Sequence, residues 1–186
     1  MAMNESGPSN ELLREQKESQ EFPGIKKFND NFDAIKQLSG WISYHNSDKI
    51  KERYVFSYKS NNENVDIGAI SDNSGNRKLC IEKGIFDKNR NLVKRTKYHL
   101  QLTRNSNFIL DTEEFDMASW VTISKDSRPM SEQQALSIVL PNFNKRILEA
   151  NNYNTRQLIK QNDLSEAAEN PDTMMDQALA NPDLRT

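Results

Sequence analysis

The chain carries two histidines, His45 and His99, and histidine is the side chain whose charge changes near neutral pH. His99 stands two residues from Lys97 on what reads as the polar side of a strand. Two imidazoles and an ammonium are the parts needed for metal-free cleavage of RNA, one as base, one as acid, the cation stabilising phosphate charge. The simpler reading puts both histidines on a rim. Cys80, within Leu79-Cys80-Ile81, reads as a small core or sheet-face side chain rather than a nucleophile. Asp111, Glu113, Glu114 and Asp116 gather carboxylates, but without the Gly and Asp spacing of a calcium loop, so they read as an acidic turn. No Gly-rich phosphate loop, Cys-x-x-Cys, His-Glu-x-x-His or Gly-x-Ser-x-Gly occurs, and these are the local signatures of cofactor, metal and nucleophile sites. No catalytic residue, cofactor or metal ligand is therefore assigned, and a non-enzymatic protein is expected.

The strongest cluster is electrostatic. Lys78, Lys83, Lys88, Arg90, Lys94, Arg95 and Lys97 fall on two paired arms and their tip, with Phe86 and Tyr98 interleaved. A sheet surface of this kind supplies phosphate contacts and stacking platforms, which suits single-stranded DNA or RNA. The spacing loosely resembles the hairpins of single-strand-binding proteins. A solvated β-face whose lysines discourage edge aggregation would have the same composition.

These residues need a scaffold. Ile25, Phe28, Phe32 and Ile35 recur at helical spacing after Pro23-Gly24 and predict a helix over 25–39, with Gly40 as its left-handed C-cap. From Trp41 the period changes to two. Tyr54, Phe56 and Tyr58, then Val65, Ile67 and Ala69, read as half-buried strands joined by Asn- and Gly-rich turns. Leu79–Phe86 and Leu92–Leu102 form a hairpin around Asp87–Asn91, and Phe108–Leu110 pairs with Ala118–Ser124 across Asp111–Glu114. The expected fold is α+β: an antiparallel meander of six to seven strands over about 41–124, flanked by an N-terminal helix and C-terminal helices. Ser131 and Gln134 form a capping box ahead of the stripe Leu136, Val139, Leu140, Phe143 and Ile147. Pro141 predicts a kink there or two helices end to end, and Asn151-Asn152 the helix end. A further helix is expected over Thr155–Ala168. No internal repeat is evident, although Asn is frequent.

Only 35% of residues are hydrophobic and 28% are charged, so polarity must concentrate outside a core. Both ends are acidic: residues 1–22 read as a tail with one short helix around Leu12-Leu13, and 153–186 as a helical tail including Met174-Met175-Leu179. Residues 23–152 form the expected core domain. A single cysteine excludes an intramolecular disulfide and suits a reducing, cytoplasmic setting, with non-Sec secretion or delivery into a host cell equally compatible. No run is apolar enough for membrane insertion. The expected function is non-enzymatic single-stranded nucleic-acid binding through the basic hairpin, with the acidic tails engaging partners. The alternative is a protein-binding adaptor or effector, of host-interaction or viral or phage type, with partner binding or self-association through the terminal helices; the element order is also compatible with a pleckstrin-like scaffold. A small metal-free ribonuclease is the third reading.

Overall fold

The computed structural model describes residues 22–39 and 49–169. Helix α1 spans Pro23–Leu38. Strands β1 to β6 span Ile50–Ser60, Glu63–Asp72, Arg77–Phe86, Leu92–Leu102, Phe108–Asp116 and Val121–Met130. A one-turn α2 (Glu132–Gln134) passes through a π-helical turn (Ala135–Val139) into α3 (Leu140–Glu169). The six strands form one antiparallel sheet in chain order, which is the α+β meander that the periodicities predict. Two compact units divide the chain, Met1–Ala150 and Asn151–Thr186. Among the described residues no helix is long and apolar enough to cross a membrane.

Alternation decides where the core lies. Tyr54, Tyr58, Val65, Ile67, Ala69, Leu79, Ile81, Leu100, Leu102, Phe108 and Leu110 are buried, and the strand register puts them on one sheet face. Phe28, Phe32 and Ile35 of α1 are buried with them, as are Val139, Leu140, Phe143 and Ile147 from the π turn and α3. The Phe28 and Phe108 rings lie 6.1 Å apart and those of Tyr98 and Phe143 5.9 Å apart, within the range where aromatic pairs attract. Among the described residues no helix packs on the other face of the sheet, the open face.

Helix ends follow local chemistry. Ser131 accepts from the Gln134 backbone N–H at 3.1 Å while its own N–H donates to Gln134 Oε1 at 3.0 Å, the reciprocal capping box expected. Residues 40–48 lie outside the described residues, and with them Gly40, Trp41 and His45. The segments around Leu12-Leu13 and Met174-Met175, where short helices are expected, lie outside too. α1 is tied to α2 because the Gly24 N–H donates to Glu132 Oε1 at 2.7 Å. A Cβ on Gly24 would sit 2.5 Å from Glu132 Cγ, so Gly24→Ala is expected to displace this carboxylate and lower unfolding free energy by about 1–2 kcal/mol in a denaturant titration.

Three expectations need correction. Asp111-Thr112-Glu113-Glu114 is no turn: it is the middle of β5, where His99, Tyr98, Lys97 and Thr96 stand directly opposite, and cross-strand cations make acidic residues acceptable in a strand. The last strand accordingly starts later and runs further than expected, to Met130. Asn151-Asn152 does not end the helix, since α3 continues to Glu169; asparagine is a poor helix former but no breaker. At Pro141 the predicted disturbance takes the form of the π turn, with the Leu140 N–H reaching back to Ala135 O. Such a turn is a known way for a helix to absorb a local irregularity.

The hairpin turns reveal a repeat that the sequence analysis misses. In Asp72–Asn76, Asp87–Asn91 and Thr103–Asn107, the first side chain accepts from the backbone N–H of the closing Asn at 2.9, 2.9 and 3.1 Å. In each, the first residue's N–H also donates to that Asn's carbonyl. The fourth residue is left-handed each time: Gly75 (φ 87°), Arg90 (φ 65°) and Ser106 (φ 64°). This pattern accounts for part of the high Asn content, because Asn suits turns and left-handed backbone. The β5–β6 turn breaks it. Asp116 again caps, accepting from Ala118 N–H at 3.0 Å and Ser119 Oγ–H at 2.6 Å, but no Asn closes the turn, and the left-handed residue is Trp120 (φ 57°).

Candidate functional site

The expected basic hairpin does not present one surface. Lys83, Lys94 and Tyr98 lie on the helix-side face, where Tyr98 packs on Phe143 of α3, so Tyr98 is a packing residue and not a stacking platform. Lys88 and Arg90 are exposed in the β3–β4 turn. Arg95, Lys97 and Phe86 share the open face near that turn, and Lys78 is on the same face toward the opposite end of β3. The split follows from strand geometry: residues at odd separation along one strand point to opposite faces. Seven cations spread over adjacent odd and even positions cannot gather on one face.

Carboxylates then neutralise much of what remains. Lys94 pairs with Glu114, Lys83 with Glu63 at 3.6 Å and Lys97 with Glu113 at 3.7 Å. On the open face a single row runs Asp66, Glu82, Lys97, Glu113, Lys125 across five strands, with signs that alternate after the first pair. Individually such half-exposed pairs contribute about 1 kcal/mol or less. Along this row the charges offset one another, whereas Arg53, Lys59, Lys78 and Arg95 lie on the same face outside it.

His99 belongs to this fabric. Its Nε2 lies 3.1 Å from Glu82 Oε1. The hydrogen bond from His99, opposed by burial and assisted by the charges of His99, Lys97 and Arg95, holds the Glu82 carboxyl below the usual range. A depressed carboxylate adds stability above its unfolded-state pKa and loses it as pH falls through the folded value. His99→Gln should therefore be less stable than the wild type at neutral pH by about 1 kcal/mol or less. That difference should vanish in acid below Glu82's depressed pKa, as read from denaturant midpoints across pH. Among the described residues, no cluster of His, Cys, Asp and Glu could hold a metal ion.

Cys80 sits opposite His99 on the open face and is 6% exposed. Burial pushes its thiol up to about 12, so the thiolate is scarce at neutral pH. Native protein is expected to resist maleimide labelling, with reaction appearing only as denaturant unfolds the sheet; rapid labelling of folded protein would contradict this placement.

What the sequence analysis overlooks is the outer edge of β6, which no strand among the described residues pairs. β6 ends the sheet order and is exposed from Val121 to Pro129. Trp120 is 75% exposed, Val121 55% and Ile123 57%. Arg95, Lys97, Glu113, Phe115, Met117 and Trp120 line a hollow of about 300 Å³ on the open face. Ile123 falls at a register shift between β5 and β6, and Pro129 lacks a donor; bulges and prolines both limit uncontrolled edge pairing. Pro129 bounds the edge at its C-terminal end, and the bulge at Ile123 interrupts it, leaving residues 120–122 and 124–127 on either side. A sequence signal existed: the fifth hairpin turn has Trp at the position where the three before it carry Asn. Compared with protein-family models, curated proteins and solved structures, the chain matches none.

Proposed function

We propose that this chain is a non-enzymatic binding protein that takes an extended polypeptide segment along the β6 edge, anchored on Trp120. The supporting observation is Trp120 itself: a bulky side chain in left-handed backbone, three-quarters exposed, where the other described hairpin turns place Asn, Gly, Arg or Ser. A strained residue that gives little packing in return points to a binding role. Tryptophan is favoured as an interface anchor because it buries much area at small entropic cost. Val121 and Ile123 extend the apolar strip along a backbone edge, the arrangement used when a peptide adds a strand.

A second reading, binding of single-stranded DNA or RNA, keeps one specific support: Arg95 and Lys97 share a hollow with Phe115 and Trp120, a small cation and aromatic platform. Two variants separate the readings. Affinity capture with the full chain, followed by direct binding to the recovered polypeptide, should show loss with Trp120→Gly and little change with Lys97→Glu. Oligonucleotide binding with a steep salt dependence, lost in Lys97→Glu, would favour the second reading instead. RNA cleavage abolished by His99→Ala would displace both.

A further inference from the structure

We propose, resting on the reading of the β6 edge above, that the segment received there carries an acidic residue two positions before a large apolar one, and that Lys125 selects the acid. The pattern already lies on the other side of β6. Glu113 stands opposite Lys125, Glu114 opposite Ser124 and Phe115 opposite Thr122, so β5 offers β6 an acidic residue, one intervening residue and an aromatic one. The register shift at Ile123 lets these three residues of β5 span four of β6, as a bulge does. Side chains on one face of an edge strand stand between an inner and an outer neighbour. A segment added antiparallel on the outer side, as β5 is on the inner, therefore meets Lys125 and Thr122 at the same spacing.

The acidic position follows from what Lys125 lacks. Glu113 gives its carboxylate to Lys97 at 3.7 Å, and Lys125, exposed, makes no ion pair among the described residues. Asp126 is held by Arg128 at 3.8 Å, and both stand on the helix-side face, opposite Thr112 and Leu110. Arg95, on the rim of the hollow, has uncharged Gly84 and Phe115 as its cross-strand neighbours. A carboxylate outside β6 would thus be the nearest opposite charge to Lys125, while a basic side chain would meet like charge there.

The apolar position follows from the hollow. Phe115, Met117 and Trp120 line it, and Thr122, across from Phe115, is two residues from Trp120. A large apolar side chain entering beside Thr122 covers the exposed indole and removes apolar surface from water on both partners. The intervening residue falls opposite Ser124, a small side chain on the helix-side face, and is left unrestricted.

The probe is a displayed library of random linear peptides, selected on the full chain and counter-selected on Trp120→Gly. Enriched peptides should share the acidic-x-apolar pattern, and a synthetic copy with Lys in place of its acidic residue should bind about fivefold more weakly. With Lys125→Glu as bait, the same library should yield a basic residue at that position and keep the apolar one. Because Lys125 is exposed and unpaired, this substitution should leave the unfolding midpoint unchanged. Peptides that need Trp120 but show no acidic preference, or keep it on Lys125→Glu, would overturn this inference and leave the edge reading standing. A selection in which no peptide loses binding on Trp120→Gly would overturn both.

Discussion

Trp120→Gly is expected to weaken partner binding about thirtyfold or more while leaving the fold as stable as before, or more stable by up to about 1 kcal/mol. Left-handed backbone costs a residue with a Cβ roughly 1–2 kcal/mol, and glycine escapes that cost. Glycine's greater freedom in the unfolded chain returns about 0.4–1 kcal/mol of it. Little packing is lost, because Trp120 is 75% exposed. A tryptophan anchor at an interface typically contributes 2 kcal/mol or more on truncation, about thirtyfold in Kd. Stability and affinity should therefore move independently, measured by chemical denaturation and by titration against the captured partner. A merely structural tryptophan would lower stability and leave affinity alone.

The second large effect concerns the scaffold. Phe143 is fully buried and stacks obliquely on Tyr98, joining α3 to β4. Phe143→Ala should cost about 3–5 kcal/mol through lost transfer energy and a residual cavity. That is a large share of the 5–15 kcal/mol by which domains are usually stable. Phe143→Leu should recover most of it, and a loss below about 1 kcal/mol for the alanine variant would mean that α3 does not seal this face.

The fold was legible where one physical signal dominated. Alternation around Tyr54, Val65 and Leu100 located strands because a half-buried sheet forces a period of two. Ser131 and Gln134 marked a helix start because the capping box is local chemistry. Legibility failed where the deciding partner was remote. Asp111 to Glu114 looked like a turn until Thr96 to His99 appeared across the strand. Of the hairpin residues, Arg95 and Lys97 line the hollow beside Trp120, but charge proximity in sequence says nothing about faces, and Lys83, Lys94 and Tyr98 lie on the other side. Trp120 was invisible because its significance lies in contrast with three other turns.

The central claim is that the outer edge of β6 between Trp120 and Ser127 receives another strand. Amide hydrogen exchange of the full chain, with and without the captured polypeptide, tests this directly, because strand addition pairs edge amides that solvent otherwise reaches. Slowed exchange concentrated in residues 121–127 is the predicted result. Unchanged exchange there, with protection gained only at other strands or on the helices, would contradict the account.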